Sequence, residues 1–403
     1  MNLWIFSTTL LYVCRVPASS FFVIVLFCMM IFQRISISNY KTHRFSSSEI
    51  FLVTALSLMS LRILIKQINL ASIELIYILG NIVFLLYFFS VRELNLSSKL
   101  FHAVGLGIIM TIIISLLEVV FGIHMPTSRY NDVANMASTW DYNRPTAFFY
   151  NENDMINALA CMLPFAFVFY KQALAQILLL ISTLILSVYI ASKSAIITIV
   201  LYLVVFLYLN VLKKSTYIYS KLIIFIVIIS LVYYFTTNSI YSSEYFDNAY
   251  SRFSGFFSAL FGNGIDGSTG ERKEIYAASY NFLISNLDVL LIGNGSFDDY
   301  NYIVKSAYGV RNGDFHNIFL EVITIGGVIS FIAISLAYAF TIVISAKIKT
   351  EAKAYIVMLL CIYPFITSFG SSSVLRFPFL FLMILFVNVL YRDACKWRTY
   401  NAS

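Results

Sequence analysis

The chain has 403 residues and a formal net charge of +7, but 60% of its residues are hydrophobic and only 12% are charged. Soluble domains carry about twice that share of charge, so this composition and a mean hydropathy of +0.83 exclude an ordinary soluble fold. The sequence therefore predicts an all-α polytopic membrane protein. The five cysteines form no C-x-x-C motif, which favours small packed residues over metal ligands or disulfides.

Apolar runs long enough to cross a bilayer recur along the whole chain. They predict eleven transmembrane helices, or twelve if the shorter run 3–14 is a separate span. The N-terminal residues lack a basic region and a cleavage site, so they are expected to remain as a membrane segment. The predicted spans lie near 18–33, 50–65, 72–90, 100–121, 154–170, 173–191, 194–210, 219–236, 317–345, 354–369 and 376–391.

Lysine and arginine are concentrated in one set of the connections between these spans. Cytoplasmic loops hold such an excess, so these connections and the C-terminus are predicted to be cytoplasmic. The set contains 15 of the 27 basic residues, so the positive charge indicates orientation and does not indicate nucleic-acid binding. Its members are Arg34, Lys41, Arg44, Arg92, Lys99, Lys171, Lys213, Lys214, Lys221, Lys347, Lys349, Lys353, Arg392, Lys396 and Arg398.

Two long polar loops fall on the opposite, outer side, near 122–152 and 237–315. A loop as long as the second is unusual unless it has a function of its own. Its stretch 271–286 has a weak helical period, which predicts a short helix lying on the membrane surface. The chain thus divides into an N-terminal transmembrane bundle (1–236), the large outer loop, and C-terminal transmembrane helices with a short cytoplasmic tail (316–403).

The first polar cluster on the outer side is NRPTAFFYNENDMINALACMLP, residues 143–164. It places Arg144 in the loop and Asn151, Asn153 and Asp154 where the next helix begins. Asn153 or Asp154 is predicted to cap this helix. Arg144 is a candidate functional residue, and a solvated loop arginine is the alternative.

Two further cations are candidates. Lys193 lies in the turn ASKSAI (191–196) between two apolar runs, where it either reaches the headgroups or faces a cavity in the bundle. Arg272 lies in GSTGERKEIY (267–276), before an amphipathic stretch, and an ordinary surface charge is its alternative.

The stretch RNGDFHNIFLEVITIGG (311–327) places His316 and Asn317 at the start of an apolar run, with Glu321 about one helical turn beyond. Histidine suits proton transfer near neutral pH, so His316 is a candidate base. A helix cap or a packed core histidine is the alternative.

The sequence lacks the motifs of several other enzyme chemistries. The sequence has no Walker A loop, no H-E-x-x-H and no G-x-S-x-G. The four histidines are scattered without metal-ligand spacing, so no metal site is predicted. Acidic residues within the spans are few, Glu118 being one, whereas a proton-coupled transporter needs a relay of them.

These residues resemble a known family. HNIFLEVITIGGVIS is similar to the signature of the O-antigen ligase and polymerase superfamily, a His-Asn, a short apolar stretch with Leu-Glu, and then Gly-x-x-Gly. Ser330 stands at the second glycine position. The matching residues are His316, Asn317, Leu320, Glu321 and Gly327.

The other clusters resemble further segments of the same family. RPTAFFYNEN is similar to its Arg-x-x-Gly-x-Phe-x-Asn-x-Asn segment, with Ala147 in the glycine place. Lys193 stands where the family often has Ser-Arg-Gly, and Arg272 matches a Gly-Arg stretch. The residues of the first segment that match are Arg144, Phe149, Asn151 and Asn153.

The resemblance implies a GT-C-like integral-membrane glycosyltransferase that uses neither a metal nor another cofactor. Its donor would be a glycan on undecaprenyl pyrophosphate, used at the periplasmic face of the bacterial inner membrane. His316, Asn317 and Glu321 are then the expected catalytic residues. Pyrophosphate or substrate would bind the other matched residues, which are Arg144, Asn151, Asn153, Lys193 and Arg272.

The resemblance leaves the acceptor open. An O-antigen polymerase extends a lipid-linked repeat unit, and this is the predicted function. An O-antigen ligase, which transfers the glycan to lipid A-core, is the first alternative, and a lipid-glycan flippase is the second. The partners implied are the lipid-linked oligosaccharide, membrane lipids and a polysaccharide chain-length regulator.

Overall fold

A computed structural model describes residues 46–66, 75, 78–82, 85, 96–132, 144–212, 267–309, 317–365 and 379–400. Every regular element within these ranges is helical, which confirms the predicted all-α class. The helices are α1 (Ser47–Lys66), α2 (Leu96–Phe121), α3 (Glu152–Phe169), α4 (Ala173–Ile190), α5 (Lys193–Leu207), α6 (Gly267–Ser285), α7 (Leu287–Ile292), α8 (Phe297–Tyr308), α9 (Ile318–Ser345), α10 (Lys353–Ile362) and α11 (Phe379–Tyr400).

Five helices of the described part are long and apolar enough to cross a membrane, namely α1, α2, α4, α5 and α9. They coincide with five of the predicted spans, so the prediction of a polytopic membrane protein is confirmed. The helices α3, α10 and α11 begin within three residues of the predicted spans 154–170, 354–369 and 376–391. The predicted runs 3–14, 18–33 and 219–236 lie outside the described residues.

Buried polar contacts join the beginnings of α1 and α2 to the second half of α11. The Asn388 side-chain amide donates to Ser48 Oγ at 2.7 Å. The backbone N–H of Ser97 donates to the Asp393 carboxylate at 3.1 Å. We call this the basic end of the bundle, because Lys99, one of the predicted cytoplasmic cations, follows two residues after Ser97. Both helices run from here towards the opposite end.

The opposite end is built from the far ends of α1 and α2 and the segments 122–132, 144–151 and 293–296, and we call it the loop end. The segment 293–296 is fully buried, although it is not helical. Irregular backbone at membrane depth is tolerated only where protein groups satisfy its polar atoms. The hydrogen bonds that satisfy this segment also explain why α9 has glycine at position 327.

The helix α9 is broken at Gly327, whose φ of 74° and ψ of 176° are non-helical. A break of this kind removes N–H partners from the carbonyl groups of the preceding turn. The backbone N–H groups of Asn294 and Gly295 replace them, since they donate to Thr324 O at 2.6 Å and Ile325 O at 3.1 Å. The loop before α8 thereby completes the hydrogen bonding of a membrane helix.

The approach of the two backbones leaves no room for a side chain. A Cβ atom on Gly327 would overlap the backbone of Leu291 and Ile292, and one on Gly293 would overlap Ile325 O. The Arg62 guanidinium of α1 donates to Gly293 O at 2.7 Å and holds the segment from the other side. Gly327 is therefore required both for its positive φ and for this contact.

The described part of the predicted periplasmic loop, 267–309, folds into α6, α7 and α8. The three helices share a small apolar core, which also contacts Leu320 and Ile323 of α9. The helix predicted near 271–286 is present as α6. The buried core residues are Ile275, Ala278, Phe282, Leu283, Val289, Tyr300 and Val304.

We predict that alanine at Gly327 or Gly293 destabilises the bundle far more than alanine at Gly309. All three glycines have positive φ, but a Cβ at Gly309 meets nothing within 4 Å. Gly309→Ala should therefore cost only the left-handed strain of about 1 kcal/mol. Overpacking adds to this at the other two positions, for a total of about 2–4 kcal/mol. Thermal unfolding of the purified variants measures the difference, and equal midpoints for all three would contradict the docking of the two segments.

Candidate functional site

The Glu118 carboxylate organises the loop end from the C-terminal part of α2. One oxygen accepts the backbone N–H groups of Thr146 and Ala147 at 2.7 and 2.8 Å. The other accepts the N–H of Met125 at 2.9 Å. A buried charge needs such donors, and Glu118 is 2% exposed. This acidic residue therefore fastens both halves of the first polar loop to α2.

Ala147 adopts a left-handed backbone conformation, with φ of 47°. This conformation costs a residue with a Cβ about 1–2 kcal/mol relative to right-handed backbone. Its own N–H and that of the preceding Thr146 donate to Glu118 and hold it in place. The glycine that the resemblance places here in related chains is thus explained by backbone geometry.

Asn151 caps α3. Its φ and ψ of −126° and 138° are non-helical, and its side-chain oxygen accepts the N–H of Asn153 at 2.8 Å. The prediction that Asn153 or Asp154 is the cap was wrong, because the helix begins two residues earlier. Asn153 is exposed in the first turn, where it can meet a ligand, whereas Asp154 is buried. Asn151 is therefore engaged as the cap of α3, whereas Asn153 faces outwards.

Two arginines converge on one buried carboxylate at the start of α3. Glu152 Oε1 lies 2.8 Å from Arg129 Nη2 and 3.1 Å from Arg144 Nη1. Arg144 is 4% exposed, so its alternative interpretation as a solvated loop arginine was wrong. Arg129 is partly exposed and lies on the outer side of the pair. Sequence reasoning missed both Arg129 and Glu152, because their link to Arg144 depends on the fold of the loop.

Tyr130 completes this group. Arg129 donates to its hydroxyl at 3.2 Å and lies 5.0 Å from the centre of its ring. The ring of His124 packs on the other side, with ring centres 5.0 Å apart. Burial, together with the charge of Glu152, raises the pKa of Tyr130 to about 12. The hydroxyl therefore stays protonated near neutral pH and accepts a hydrogen bond from Arg129 without adding negative charge.

Lys193 lies at the same end of α3. It is the first residue of α5, and the next residue, Ser194, donates to Asn157 Oδ1 at 3.2 Å. Asn157 is one turn beyond Asn153, so the beginning of α5 packs against the second turn of α3. The structure therefore gathers Arg144, Asn151, Asn153 and Lys193 around the first two turns of one helix.

The HN motif begins α9. Asn317 is its cap, with its side-chain oxygen accepting the N–H groups of Phe319 and Leu320 at 2.9 and 3.2 Å. Glu321 follows in the next turn and is 2% exposed. A capping role for Asn317 agrees with the backbone, and it leaves the amide NH₂ available for a further partner. His316 lies outside the described residues.

The remaining predicted residue is Arg272, which belongs to α6, while its side chain lies outside the described part. Among the described residues, no group of three or more histidine, cysteine, aspartate or glutamate side chains is placed to hold a metal ion. At the loop end the buried carboxylates of Glu118, Glu152 and Asp154 lie among cations and amides. Cations and amides bind phosphate oxygens and sugar hydroxyls.

We predict that Glu118→Gln loosens the first polar loop. The amide keeps one acceptor oxygen but presents NH₂ to at least one backbone donor, which leaves that donor unsatisfied at about 1–3 kcal/mol. Limited proteolysis after Arg129 or Arg144 should therefore become faster than in the unmodified protein. Glu351→Gln is the matched control because Glu351 is exposed. Equal cleavage rates in both variants would contradict the fastening role.

Comparison with known proteins gives a family match. Residues 177–335 match the family model described as O-antigen ligase, from α4 through the broken part of α9. The comparison with curated proteins gives no significant match. The matched region contains Lys193, Arg272, His316, Asn317 and Glu321, and it includes the docking of the segment 293–296 on α9. Residues 177–335 are therefore similar to the O-antigen ligase family, which confirms the predicted resemblance to the O-antigen polymerase and ligase superfamily.

Proposed function

We propose that this membrane protein is a polymerase of O-antigen or a related surface polysaccharide. It transfers a growing glycan from undecaprenyl pyrophosphate to the non-reducing end of a lipid-linked repeat unit. The observation that carries the proposal is the similarity to the O-antigen ligase family, whose matched region holds five of the eight predicted site residues. Those residues are Lys193, Arg272, His316, Asn317 and Glu321.

The reaction takes place at the loop end, on the periplasmic side of the bacterial inner membrane. This orientation rests on the excess of lysine and arginine in the connections at the basic end. An active site at helix ends suits a lipid-linked donor, because the lipid stays in the bilayer while the sugar reaches water. The partners in this proposal are the lipid-linked oligosaccharide, membrane lipids and a chain-length regulator.

The loop end supplies positive charge for the leaving group. Lipid pyrophosphate departs with negative charge, and fixed cations that meet this charge lower the barrier. Arg144 is held by Glu152, and Lys193 lies at the beginning of α5 beside the same helix. Arg272 adds a third cation from α6. We add Arg129 to this set, because it shares Glu152 with Arg144 and is partly exposed.

His316 accepts the proton of the acceptor hydroxyl as its oxygen forms the new bond to C1 of the donor sugar. The bond between C1 and the pyrophosphate oxygen breaks, and undecaprenyl pyrophosphate leaves with the electron pair. Attack opposite the leaving group inverts the anomeric carbon. General-base assistance of this kind contributes about 10²–10⁴ in rate. Asn317 and Glu321 orient the acceptor and the imidazole, and no metal or other cofactor is needed.

A ligase is the second candidate, and the description of the matched family favours it. A ligase uses the same donor and the same chemistry but passes the glycan to lipid A-core. Gel analysis of surface glycan from a deletion strain separates the candidates. A single repeat unit on lipid A-core supports a polymerase, whereas bare core with accumulated lipid-linked polymer supports a ligase and overturns the proposal. Loss of all periplasmic repeat units would indicate a flippase.

We predict that His316→Gln abolishes chain extension while the protein still accumulates in the membrane. The loss should be about 10²–10⁴ in rate, because glutamine cannot accept a proton at neutral pH. His102→Gln is the matched control. His102 stacks on Phe169 with ring centres 4.2 Å apart, near the basic end of the bundle, and should leave the glycan ladder unchanged. If the His316→Gln variant still produced the full glycan ladder, the assignment of His316 as the general base would be wrong.

We predict that Lys193→Met weakens donor use about 10- to 100-fold, as expected when one charge-assisted hydrogen bond to phosphate is lost. Lys171→Met is the control, because Lys171 is exposed in the connection at the other end of α3. The measurement is the initial rate with the lipid-linked donor below saturation. Equal rates for the two variants would show that Lys193 only reaches the headgroups.

A further inference from the structure

The helices α6 and α7 carry a row of large apolar side chains that no other part of the described chain covers. Leu287 and Leu291 are 64% and 54% exposed. The positions fall three or four residues apart, except for the adjacent last pair, so they follow one side of the two helices. We call this row the apolar rim. Its members are Tyr280, Ile284, Leu287, Leu291 and Ile292.

The opposite side of the same helices is already packed. Phe282 of α6 and Val289 of α7 are buried with Tyr300 of α8. The rings of Phe282 and Tyr300 meet edge to face, with centres 5.4 Å apart. The apolar rim is therefore a second apolar surface of a folded unit, and the core of that unit does not use it.

The position of α7 is fixed relative to helices that cross the membrane. Its last residue, Ile292, lies against Gly327, the tenth residue of α9. Just after α7, Gly295 lies against Arg62 and Lys66, the last residue of α1. Both α1 and α9 are candidate membrane spans. The helix α7 therefore lies beside the last turn of α1 and the third turn of α9.

The surfaces next to α7 are themselves apolar and exposed. On α9 these are Ile329 and Ile332, and on α1 they are Leu61 and Ile65. An apolar surface on a membrane-spanning helix that faces no protein faces lipid. The end of the rim at Ile292 and the residues just after it contact both of these spans. This position beside two apolar spans identifies lipid as the partner of the rim.

We propose that the apolar rim is inserted into the membrane leaflet at the loop end and anchors the unit α6–α8 there. Helices of this kind bury their apolar face about 5–10 Å below the headgroups. Asp288, in the first turn of α7, then lies at the headgroup level. The proposal does not depend on the proposed reaction, because it rests on exposure and on the contacts with α1 and α9.

Fluorescence quenching in proteoliposomes tests this. The full-length protein, with Trp4, Trp140 and Trp397 changed to phenylalanine, receives one tryptophan as Leu291→Trp or Leu287→Trp. Tyr302→Trp is the matched control. Tyr302 is 75% exposed on α8 and shares its helix face with Lys305 and Ser306. The vesicles contain phosphatidylcholine brominated in the upper acyl chain, and acrylamide reports access from water. Unchanged thermal unfolding of each variant establishes that it is folded.

Brominated lipid should quench both rim tryptophans at least about twofold more than the control, as expected for an interfacial helix. Acrylamide should show the reverse order. Equal quenching by brominated lipid at all three positions would overturn the proposal. Protection of the rim tryptophans from both quenchers would also overturn it, because the rim would then be covered by protein, either another segment or a second copy of the chain.

Discussion

Two buried carboxylates, Glu118 and Glu152, determine how the loop end of this bundle is built. A charge in a low-dielectric interior is tolerated only when donors surround it. Glu118 obtains its donors from backbone N–H groups of the first loop, and Glu152 obtains them from two arginine side chains. The loop between α2 and α3 is thus shaped by the need to satisfy these two groups, and the cations near α3 are positioned as a result.

The same reasoning explains why a structural ion pair and a substrate site can share residues. Glu152 holds Arg144 rigidly, which reduces the entropy that Arg144 would lose on binding phosphate. Arg129 and Arg144 share the carboxylate of Glu152, and Tyr130 adds no negative charge because its pKa is raised to about 12. The beginning of α3 contributes further positive potential through its peptide dipoles. The loop end is therefore electrostatically suited to a pyrophosphate.

The need to pair backbone N–H and C=O groups at membrane depth determines how the second half of the site is built. The break at Gly327 would leave carbonyl groups without donors, and the segment 293–296 supplies them. This docking ties the unit α6–α8, with Arg272 on it, to the helix that Asn317 caps. It also brings the apolar rim to the level of the lipid. The glycines of the stretch HNIFLEVITIGG therefore allow two backbones to pack in direct contact. The polar residues of the same stretch precede the break at Gly327.

Sequence patterns predicted the described membrane spans within a few residues, because apolar length and charge bias act locally. They also predicted Lys193 and Asn317 near helix ends and Arg144 in the loop before α3. They could not predict that Arg129 and Arg144 share Glu152, since those contacts join residues 23 and 8 positions apart. The cap of α3 was misplaced by two residues because three Asn and Asp side chains compete there. The need for glycine at 293 and 327 becomes visible only when both backbones are placed.

Reconstitution of the purified protein with its donor tests the central claim most directly. The vesicles would contain undecaprenyl-pyrophosphate-linked repeat units as the only glycan substrate, and products would be separated by size. A polymerase should convert these units into chains of increasing length, with release of undecaprenyl pyrophosphate. If the units are consumed only after lipid A-core is added, the enzyme is a ligase and the proposed acceptor is wrong.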